Sequence, residues 1–256
     1  MTGSRTVDLN ADMGEAVEPD GIAVERALLE YVTSVHVACG GHAGDAASMR
    51  ATVEAALAAD VGVGAHPSYP DRAGFGRRPM ELAWPVLLDS LRMQVSDLSA
   101  VARAAGTEVQ SVKAHGALYG EVARGGAACV ALISVLHDLC HASTPLVLPA
   151  GAPALALAKE IGRPTLEEGF CDRAYRPDGT LVDRTVPGAV FDEPERAAEQ
   201  AGTLARGLVR DDVGTWLSLH PDTLCLHGDS PNALSMAMAV RDLLEREGVV
   251  VAAAAR

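Results

Sequence analysis

Residues 6–15, TVDLNADMGE, join a predicted β-strand to a run of acidic side chains. The strand covers Thr6–Leu9, and the acidic segment follows it at once. Side chains two residues apart share one side of an extended chain, so Asp8, Asn10 and Asp12 point into the same space. The alternative for an aspartate in a loop is to cap a turn. The stretch therefore predicts a buried strand whose end carries functional carboxylates.

The alternation of a short apolar run and a helical pattern continues along the chain. Further strands are predicted at Ser34–Ala38, Val61–Gly64, Val109–Val112, Leu146–Leu148, Thr165–Leu166 and Thr223–Leu226. Helices are predicted at Asp45–Ala59, Glu81–Ala105, Ala127–His141, Glu195–Val209 and Asn232–Glu247. Alternating βα units indicate an α/β fold with a parallel sheet, either a barrel or a doubly wound sheet. No linker rich in Gly, Ser and Pro interrupts the pattern, so residues 1–256 are interpreted as one domain.

Polar segments follow five of these strands. Besides the acidic run quoted above, they are CGGHAGD (39–45), AHPSYPD (65–71), KAHGALY (113–119) and HGD (227–229). Parallel strands end at one face, so these segments gather at the C-terminal face, where α/β folds place their sites. Four of the eight histidines would converge there. This convergence predicts an enzyme.

The candidate site residues come from these segments and from CDRAY (171–175). The candidates for catalysis are Asp12, Glu15, His42, Lys113 and His115. The candidates for substrate binding are Asp8, Asn10, His66, Tyr119, Arg173, His227 and Asp229. A divalent metal ion could be held by His42, Asp45 and His66, but the spacing matches no standard metal motif.

Several of these residues also have a structural interpretation. His42 could be a hydrogen-bonded loop histidine, although the glycines around it let backbone approach a ligand. His66 could serve to shape the turn before Pro67. An arginine fork suits a carboxylate or phosphate, but Arg77, Arg78 and Arg173 could instead pair with a nearby aspartate such as Asp71 or Asp172.

The composition excludes some classes of protein. The formal net charge is −13 and the pI is near 5.0, and no basic run offers a nucleic-acid surface. We find no apolar run that could span a bilayer and no signal-peptide pattern, and therefore expect a cytoplasmic protein without a membrane partner. The five cysteines form no CxxC pair and are expected to be reduced. A P-loop, a GxSxG elbow and HExxH are all missing from the sequence.

Six motifs stand in register over Val7 to Gly248. They are VDLNADMGE, TSVHVACGGHAGD, GAHPSYPDRAGFGRR, VKAHGALY, DRAYRPDGTLVDR with PGAV, and DTLCLHGDSPNAL. Together they resemble the LamB/YcsF family of lactam-utilisation proteins. The chain departs from the family at four positions: Gly41, where Phe is frequent, Ser68, where Gly is usual, Ala114, where Pro is common, and Gly120, where Asn is frequent. The resemblance implies a distorted seven-stranded parallel (β/α) barrel, similar to glycoside hydrolase and deacetylase folds.

The resemblance also implies the A subunit of an ATP-dependent 5-oxoprolinase. Such an assembly, with subunits B and C, opens 5-oxo-L-proline to L-glutamate, and ATP is its co-substrate. Since this chain has no P-loop, the phosphoryl donor is expected on a partner. A homo-oligomer is a further possibility that the sequence leaves open.

A mechanism follows as a hypothesis from that activity. Phosphorylation of the lactam carbonyl oxygen first requires a base to remove the N–H proton, and Asp12 or Glu15 could be that base. His42, His115 or Lys113 could act as acid or as oxyanion partner. In the same hypothesis, Arg173 binds the carboxylate of the substrate.

Two other functions compete with this interpretation. One is a metal-dependent hydrolase or deacetylase that acts alone through a zinc-activated water. The other is a non-catalytic subunit that binds 5-oxoproline and delivers it to its partners.

Overall fold

The computed structural model describes residues 5–228 and 232–254. Its strands are β1 (Thr6–Met13), β2 (Ser34–Ala38), β3 (Gly62–His66), β4 (Ser111–Val112), β5 (Leu146–Pro149), β6 (Thr165–Phe170), β7 (Leu208–Arg210), β8 (Trp216–Ser218), β9 (Thr223–Leu226) and β10 (Val250–Val251). Strands β1 to β6 and β9 lie side by side, all parallel, and β9 pairs back with β1. The expected seven-stranded barrel is therefore confirmed, and the doubly wound alternative is wrong.

The remaining strands lie outside the barrel. β10 pairs with the first residues of β1, and β7 and β8 form an antiparallel hairpin. The predicted helix Glu195–Val209 was wrong at its end, since the helix stops at Ala205 and Val209 belongs to β7. Gly207 has a φ of 82°, which a continuing helix cannot adopt.

β1 is the longest barrel strand and runs for 8 residues, whereas the prediction stopped at Leu9. Its odd-numbered residues from Val7 to Met13 are at most 1% exposed and belong to the hydrophobic core. The even-numbered residues point into the barrel, where Asn10 donates to Glu168 and Thr223. The alternation of a strand thus carries Asp8, Asn10 and Asp12 into the interior.

β4 is the weakest part of the barrel wall. It has 2 residues, and only Val112 is in register with β5, opposite Leu146. Short pairing at this point makes the barrel distorted, as expected.

The helices surround the barrel. They are α1 (Pro19–Leu28), α2 (Ala46–Ala58), α3 (Trp84–Ala104), α4 (Gly116–Ala123), α5 (Ala127–Leu139), α6 (Ala154–Ile161), α7 (Pro194–Ala205) and α8 (Ala233–Arg246). Five of them were predicted, and α1, α4 and α6 were not. Among the described residues no single helix has the length and hydropathy to cross a membrane. α4 and α5 have that length and hydropathy only when they are taken together, and the pair is bent by 100°.

The N-terminal end of the barrel interior is polar. Asp8 is 3% exposed, and its carboxylate accepts from Thr33 Oγ1 at 2.6 Å, Ser34 Oγ at 2.8 Å and Thr223 Oγ1 at 2.5 Å. Burial raises the pKa of Asp8 above its ordinary value, against the lowering effect of the three hydroxyls. The carboxyl thus ties β1 to β2 and β9 at the end remote from the loops.

We predict that Asp8→Asn changes how stability depends on pH. The folded pKa of Asp8 lies above the unfolded value near 3.8, so the folded state keeps a proton that the unfolded state has lost. Wild-type stability therefore falls with rising pH in that window, by at most about 1.4 kcal/mol per pH unit. The variant lacks this loss, so its free energy of unfolding relative to wild type should rise from about pH 4 and then level off. Urea unfolding across this range measures the difference.

Asp178 provides the control. It is exposed, and hydrogen bonds from the Thr180 hydroxyl and amide lower its pKa. A lowered pKa stabilises the fold at higher pH, so Asp178→Asn should give the opposite slope. If the free energy of unfolding relative to wild type rose or fell with pH in the same direction in both variants, the account of Asp8 would be contradicted.

Candidate active site

Side chains from six of the seven barrel strands, or from the loops that follow them, meet at the C-terminal end of the barrel. Of the candidates named from the sequence, the structure brings together Asn10, Asp12, Glu15, His42, His66, Lys113, His115, Tyr119 and His227. Only β5 contributes none of these contacts. The common direction of parallel strands accounts for the convergence.

Lys113 is the central cation of the site and is 2% exposed. Its Nζ lies 2.6 Å from Asp12 Oδ1 and 3.0 Å from Glu168 Oε1, and it donates to Asn10 Oδ1 at 3.1 Å. Burial disfavours the charged amine, but the two carboxylates outweigh it and hold the pKa of Lys113 well above its ordinary value. At neutral pH Lys113 is therefore a fixed positive charge.

Asp12 connects Lys113 to the histidines. Its Oδ2 lies 3.3 Å from His66 Nε2, while its Oδ1 faces the ammonium. Burial alone would raise the pKa of the Asp12 carboxyl, but His66 and Lys113 hold that pKa well below its usual range. So stable a carboxylate is a weak base, which argues against Asp12 as the group that removes a proton.

Glu168 is a site residue that was not predicted from the sequence. It is 1% exposed, and its Oε2 accepts from the Tyr119 hydroxyl at 2.5 Å while its Oε1 faces Lys113. The predicted strand ended at Leu166, but β6 continues to Phe170 and turns Glu168 into the barrel. A pair of glutamates directly after a predicted strand was the available signal.

Glu15, His42, His66 and His115 form a compact group, called here the imidazole cluster. Glu15 Oε1 lies 2.8 Å from His42 Nε2, 3.4 Å from His115 Nδ1 and 3.9 Å from His66 Nε2. The rings of His42 and His115 stack with their centroids 3.7 Å apart and are nearly parallel, at an interplanar angle of 5°. Burial lowers the pKa of His42 to about 4 and also lowers the pKa of His115, so both rings are neutral at pH 7.

The loop after β3 packs over the imidazole cluster. Phe75 and Gly76 both have a positive φ, of 54° and 64°, and the Phe75 ring meets His42 and His115 edge-on. A Cβ at Gly76 would lie 2.9 Å from His42 Cβ and 3.0 Å from His115 Cδ2. Glycine is therefore required here for both conformation and space. In the same loop Arg78 pairs with Asp71 at 3.2 Å, as the structural interpretation of that arginine held.

Asp172 and His227 form a hydrogen-bonded pair. Asp172 is fully buried, and both of its oxygens lie within 2.9 Å of His227 Nδ1. Burial works against the charged carboxyl, but His227 lowers the pKa of Asp172 below its ordinary value. With Nδ1–H held by a carboxylate, Nε2 of a neutral His227 keeps its lone pair. His227 was predicted from the sequence, whereas no site function was predicted for Asp172.

The pair lies beside the rest of the site. The ring of His227 stacks on Phe170 at 5.7 Å, and one of its nitrogens is within 4.8 Å of an Asp12 oxygen and the Cys225 thiol. Lys113 Nζ is 3.4 Å from the same thiol. An oriented imidazole and a fixed ammonium thus share Asp12 as a neighbour.

Arg173 contacts its own loop. Its Nη2 donates to Val182 O at 2.7 Å and its Nε to Ala189 O at 3.3 Å. Burial lowers the pKa of Arg173 to about 10, so the guanidinium remains charged at neutral pH. These bonds hold residues 173–189 together, and the binding of a substrate carboxylate by Arg173 stays a prediction.

Two other candidates do not join the group at the C-terminal end. Asp8 lies at the opposite end of the barrel, on its three hydroxyl partners. Asp45 is exposed and caps α2, accepting from Ala47 N and Ser48 N at 2.9 Å each, so it is not among the donors that converge. Asp229 lies outside the described residues.

Two of the departures from the family pattern, Gly41 and Ser68, are neighbours in space. A Cβ at Gly41 would lie 2.4 Å from both Ser68 Oγ and Gln94 Oε1. The Gln94 amide in turn clamps the Ser68 backbone, accepting from its N at 3.0 Å and donating to its O at 2.9 Å. Gly41 is thus matched to the larger residue at position 68.

These groups define what the site can do. Lys113 can stabilise a developing oxyanion, because it is a cation held in a buried setting. The Asp172–His227 pair can accept and return a proton. The imidazole cluster offers nitrogen and oxygen donors suited to a divalent metal ion.

Comparison with known proteins supports a single relationship. The LamB/YcsF family matches residues 7–256. A relative from Methylococcus capsulatus, which is named as the A subunit of 5-oxoprolinase, is 44% identical over 251 residues, which are 98% of this chain and 96% of the relative. The lactam utilization protein of Thermus thermophilus has 36% identity and a TM-score of 0.89, covering 97% of this chain and 99% of that structure.

A more distant structure shows the fold alone. The family 4 carbohydrate esterase of Streptomyces lividans has a TM-score of 0.53 at 13% identity, over 97% of this chain and 92% of the esterase. This likeness agrees with the deacetylase-like barrel that was expected. The family match covers nearly the whole chain, as does the relative from M. capsulatus, and the chain therefore belongs to the LamB/YcsF family.

Proposed function

We propose that this chain is the A subunit of an ATP-dependent 5-oxoprolinase, which opens 5-oxo-L-proline to L-glutamate with subunits B and C. The relative of that name from M. capsulatus aligns over almost its whole length. The observation that carries the proposal is the buried ammonium of Lys113 next to the oriented imidazole of His227, with Asp12 between them. A lactam needs both a cation for its oxygen and a base for its nitrogen.

The chemistry explains why. An amide carbon is a poor electrophile, and resonance protects the C–N bond of the ring. Removal of the N–H proton moves negative charge onto the carbonyl oxygen, where a fixed cation stabilises it. The oxygen then accepts a phosphoryl group from ATP, with release of ADP, and water attacks the activated carbon to give a tetrahedral adduct that still carries the phosphate. A proton delivered to the nitrogen lets the C–N bond of this adduct break, which leaves an acyl phosphate. A second water hydrolyses the acyl phosphate to the carboxylate of glutamate and free phosphate.

We assign the proton transfers to His227. Asp172 holds the hydrogen of the neutral ring on Nδ1, so the lone pair stays on Nε2 and can accept the lactam proton. The same imidazolium then returns the proton to the departing amine. Asp12 is the weaker base because Lys113 and His66 stabilise its charge.

We assign Lys113 to stabilise the negative charge on the lactam oxygen. Tyr119 and Glu168 are assigned to hold Lys113 in position. The Tyr119 hydroxyl donates to Glu168, whose other oxygen faces the ammonium. The phosphoryl donor is assigned to one of the partners, since the chain has no P-loop. We also assign the protein to the cytoplasm, in keeping with five free thiols.

A second candidate is a metal-dependent hydrolase that acts alone. The imidazole cluster favours it, because imidazole and carboxylate donors can hold an ion that activates water. This candidate needs neither ATP nor partners, so one experiment separates the two.

The first prediction concerns the reaction. Wild-type chain mixed with subunits B and C, 5-oxoproline and ATP should release glutamate and ADP in equal amounts. Omission of any one component or of ATP should abolish both products. Release of glutamate by the chain alone, without ATP, would favour the second candidate. No product from the complete mixture would contradict the proposal.

The second prediction concerns the Asp172–His227 pair. His227→Gln and Asp172→Asn should each lower kcat of the complete assembly by about 10²- to 10⁴-fold, the usual contribution of general acid–base catalysis. Binding of 5-oxoproline, followed by calorimetry, should change much less. Thermal unfolding should confirm that the variants are folded.

His220 offers a matched control. It is exposed near the hairpin, where its Nε2 lies 3.1 Å from Ser218 Oγ. His220→Gln should leave kcat unchanged. Wild-type kcat in folded His227→Gln would refute the assignment of His227 and leave the proposed reaction to the reconstitution experiment.

A further inference from the structure

Two histidines of the imidazole cluster are fixed in one tautomer by backbone carbonyls. His66 Nδ1 lies 2.8 Å from Lys113 O, and His115 Nε2 lies 2.9 Å from Phe75 O. A carbonyl oxygen can only accept, so each of these nitrogens carries a hydrogen. In the neutral rings the lone pairs are therefore on His66 Nε2 and His115 Nδ1.

These two lone-pair nitrogens face each other at 3.0 Å. Two acceptors at that distance repel unless a proton or a metal ion attracts both. A proton would join the two nitrogens, and on His66 Nε2 it would also face Asp12 Oδ2 at 3.3 Å. A metal ion could also use the carboxylate of Glu15 and Nε2 of His42, since the ligand atoms of all four residues lie within 4.8 Å of one another.

The separations fit a coordination sphere. Ligands bound at about 2.1 Å, with angles of about 90–110° between them, are about 3.0–3.4 Å apart. The nitrogens of His66 and His115 are 3.0 Å apart, and Glu15 Oε1 is 3.4 Å from His115 Nδ1. Glu15 to His42 is slightly shorter, at 2.8 Å, and Glu15 to His66 is longer, at 3.9 Å.

The surroundings of the cluster resemble the outer shell of a metal site. Histidine ligands usually donate their second N–H to a carbonyl or carboxylate, which sets the tautomer and the direction of the ring. His66 and His115 both do so. The carbonyl that holds His115 belongs to Phe75, a residue with a φ of 54°. Such a backbone is costly for a residue with a side chain, and it persists where the surroundings require it.

We propose that Glu15, His42, His66 and His115 bind a divalent transition-metal ion of the Zn²⁺ class. Three imidazoles and one carboxylate are donors that suit Zn²⁺ and exclude the hard, oxygen-seeking Mg²⁺ and Ca²⁺. His66 and His115 are the ligands that the backbone pre-orients. When bound, the ion supplies a Lewis acid at the mouth of the barrel. The inference does not rest on the proposed reaction, because binding itself can be measured.

The test uses the full chain after dialysis against a chelator. Zn²⁺ titrated by calorimetry should bind at about one ion per chain, because the four donors surround a single position. Added Zn²⁺ should raise the melting temperature, and Co²⁺ should give a visible absorption band that Zn²⁺ removes. Mg²⁺ should do neither.

Variants locate the ion. His115→Gln should weaken Zn²⁺ binding by more than about 10-fold, the loss that even outer-shell changes cause. Glu15→Gln keeps an oxygen but loses the charge, and should change the Co²⁺ spectrum. His137, exposed on α5, gives the control His137→Gln, which should bind Zn²⁺ as the wild type does.

Two results would overturn the inference. One is a wild-type chain that gains neither Zn²⁺ nor thermal stability, as expected if a proton links His66 and His115. The other is Zn²⁺ binding that His115→Gln leaves as tight as in the wild type. Neither result bears on whether the assembly makes glutamate from 5-oxoproline.

Discussion

The barrel is arranged around one buried charge, the ammonium of Lys113. An isolated ammonium in a protein interior is very unfavourable, and loss of one partner from a buried pair typically costs about 3–5 kcal/mol. Here the partners are Asp12 from β1 and Glu168 from β6, so the ion pairs cross the interior between strands that are not neighbours. β4, which immediately precedes Lys113, is only 2 residues long. Side-chain bonds therefore position this part of the chain where the backbone ladder is short.

The charges of the site follow from that arrangement. Lys113 and Asp12 stabilise each other as ions, since the pKa of the first is raised and that of the second is lowered. Burial keeps the stacked rings of His42 and His115 neutral. The mouth thus contains groups whose protonation is fixed, next to Asp172 and His227, the pair to which we assign the proton transfers. Such separation of roles is typical of catalytic sites.

Much of this could be predicted from the sequence, because strand spacing dictates direction. The alternation in residues 6–15 correctly turned Asp8, Asn10 and Asp12 inward, and the segments after β2, β3, β4 and β9 met as expected. The depth at which each of these side chains lies in the barrel was harder to predict. Asp8 shares a side with Asp12 but lies two strand positions below Asn10, where hydroxyls satisfy it. A pattern of period two shows a side chain's face and not its depth.

The omissions have physical reasons as well. Glu167 and Glu168 looked like a loop because charged residues are rare in buried strands, yet β6 continues through them since Lys113 neutralises Glu168. Short helices such as α4 and α6, of 8 residues each, leave little periodic signal. Asp172 contacts His227, which lies 55 positions further along the chain, and no local motif reveals such a contact.

The contact among Gly41, Ser68 and Gln94 has an evolutionary consequence. Any side chain at position 41 would overlap the Ser68 hydroxyl and the Gln94 amide. A residue larger than glycine at position 41 therefore requires the Ser68 or Gln94 side chain to shift, so substitutions at these three positions depend on one another.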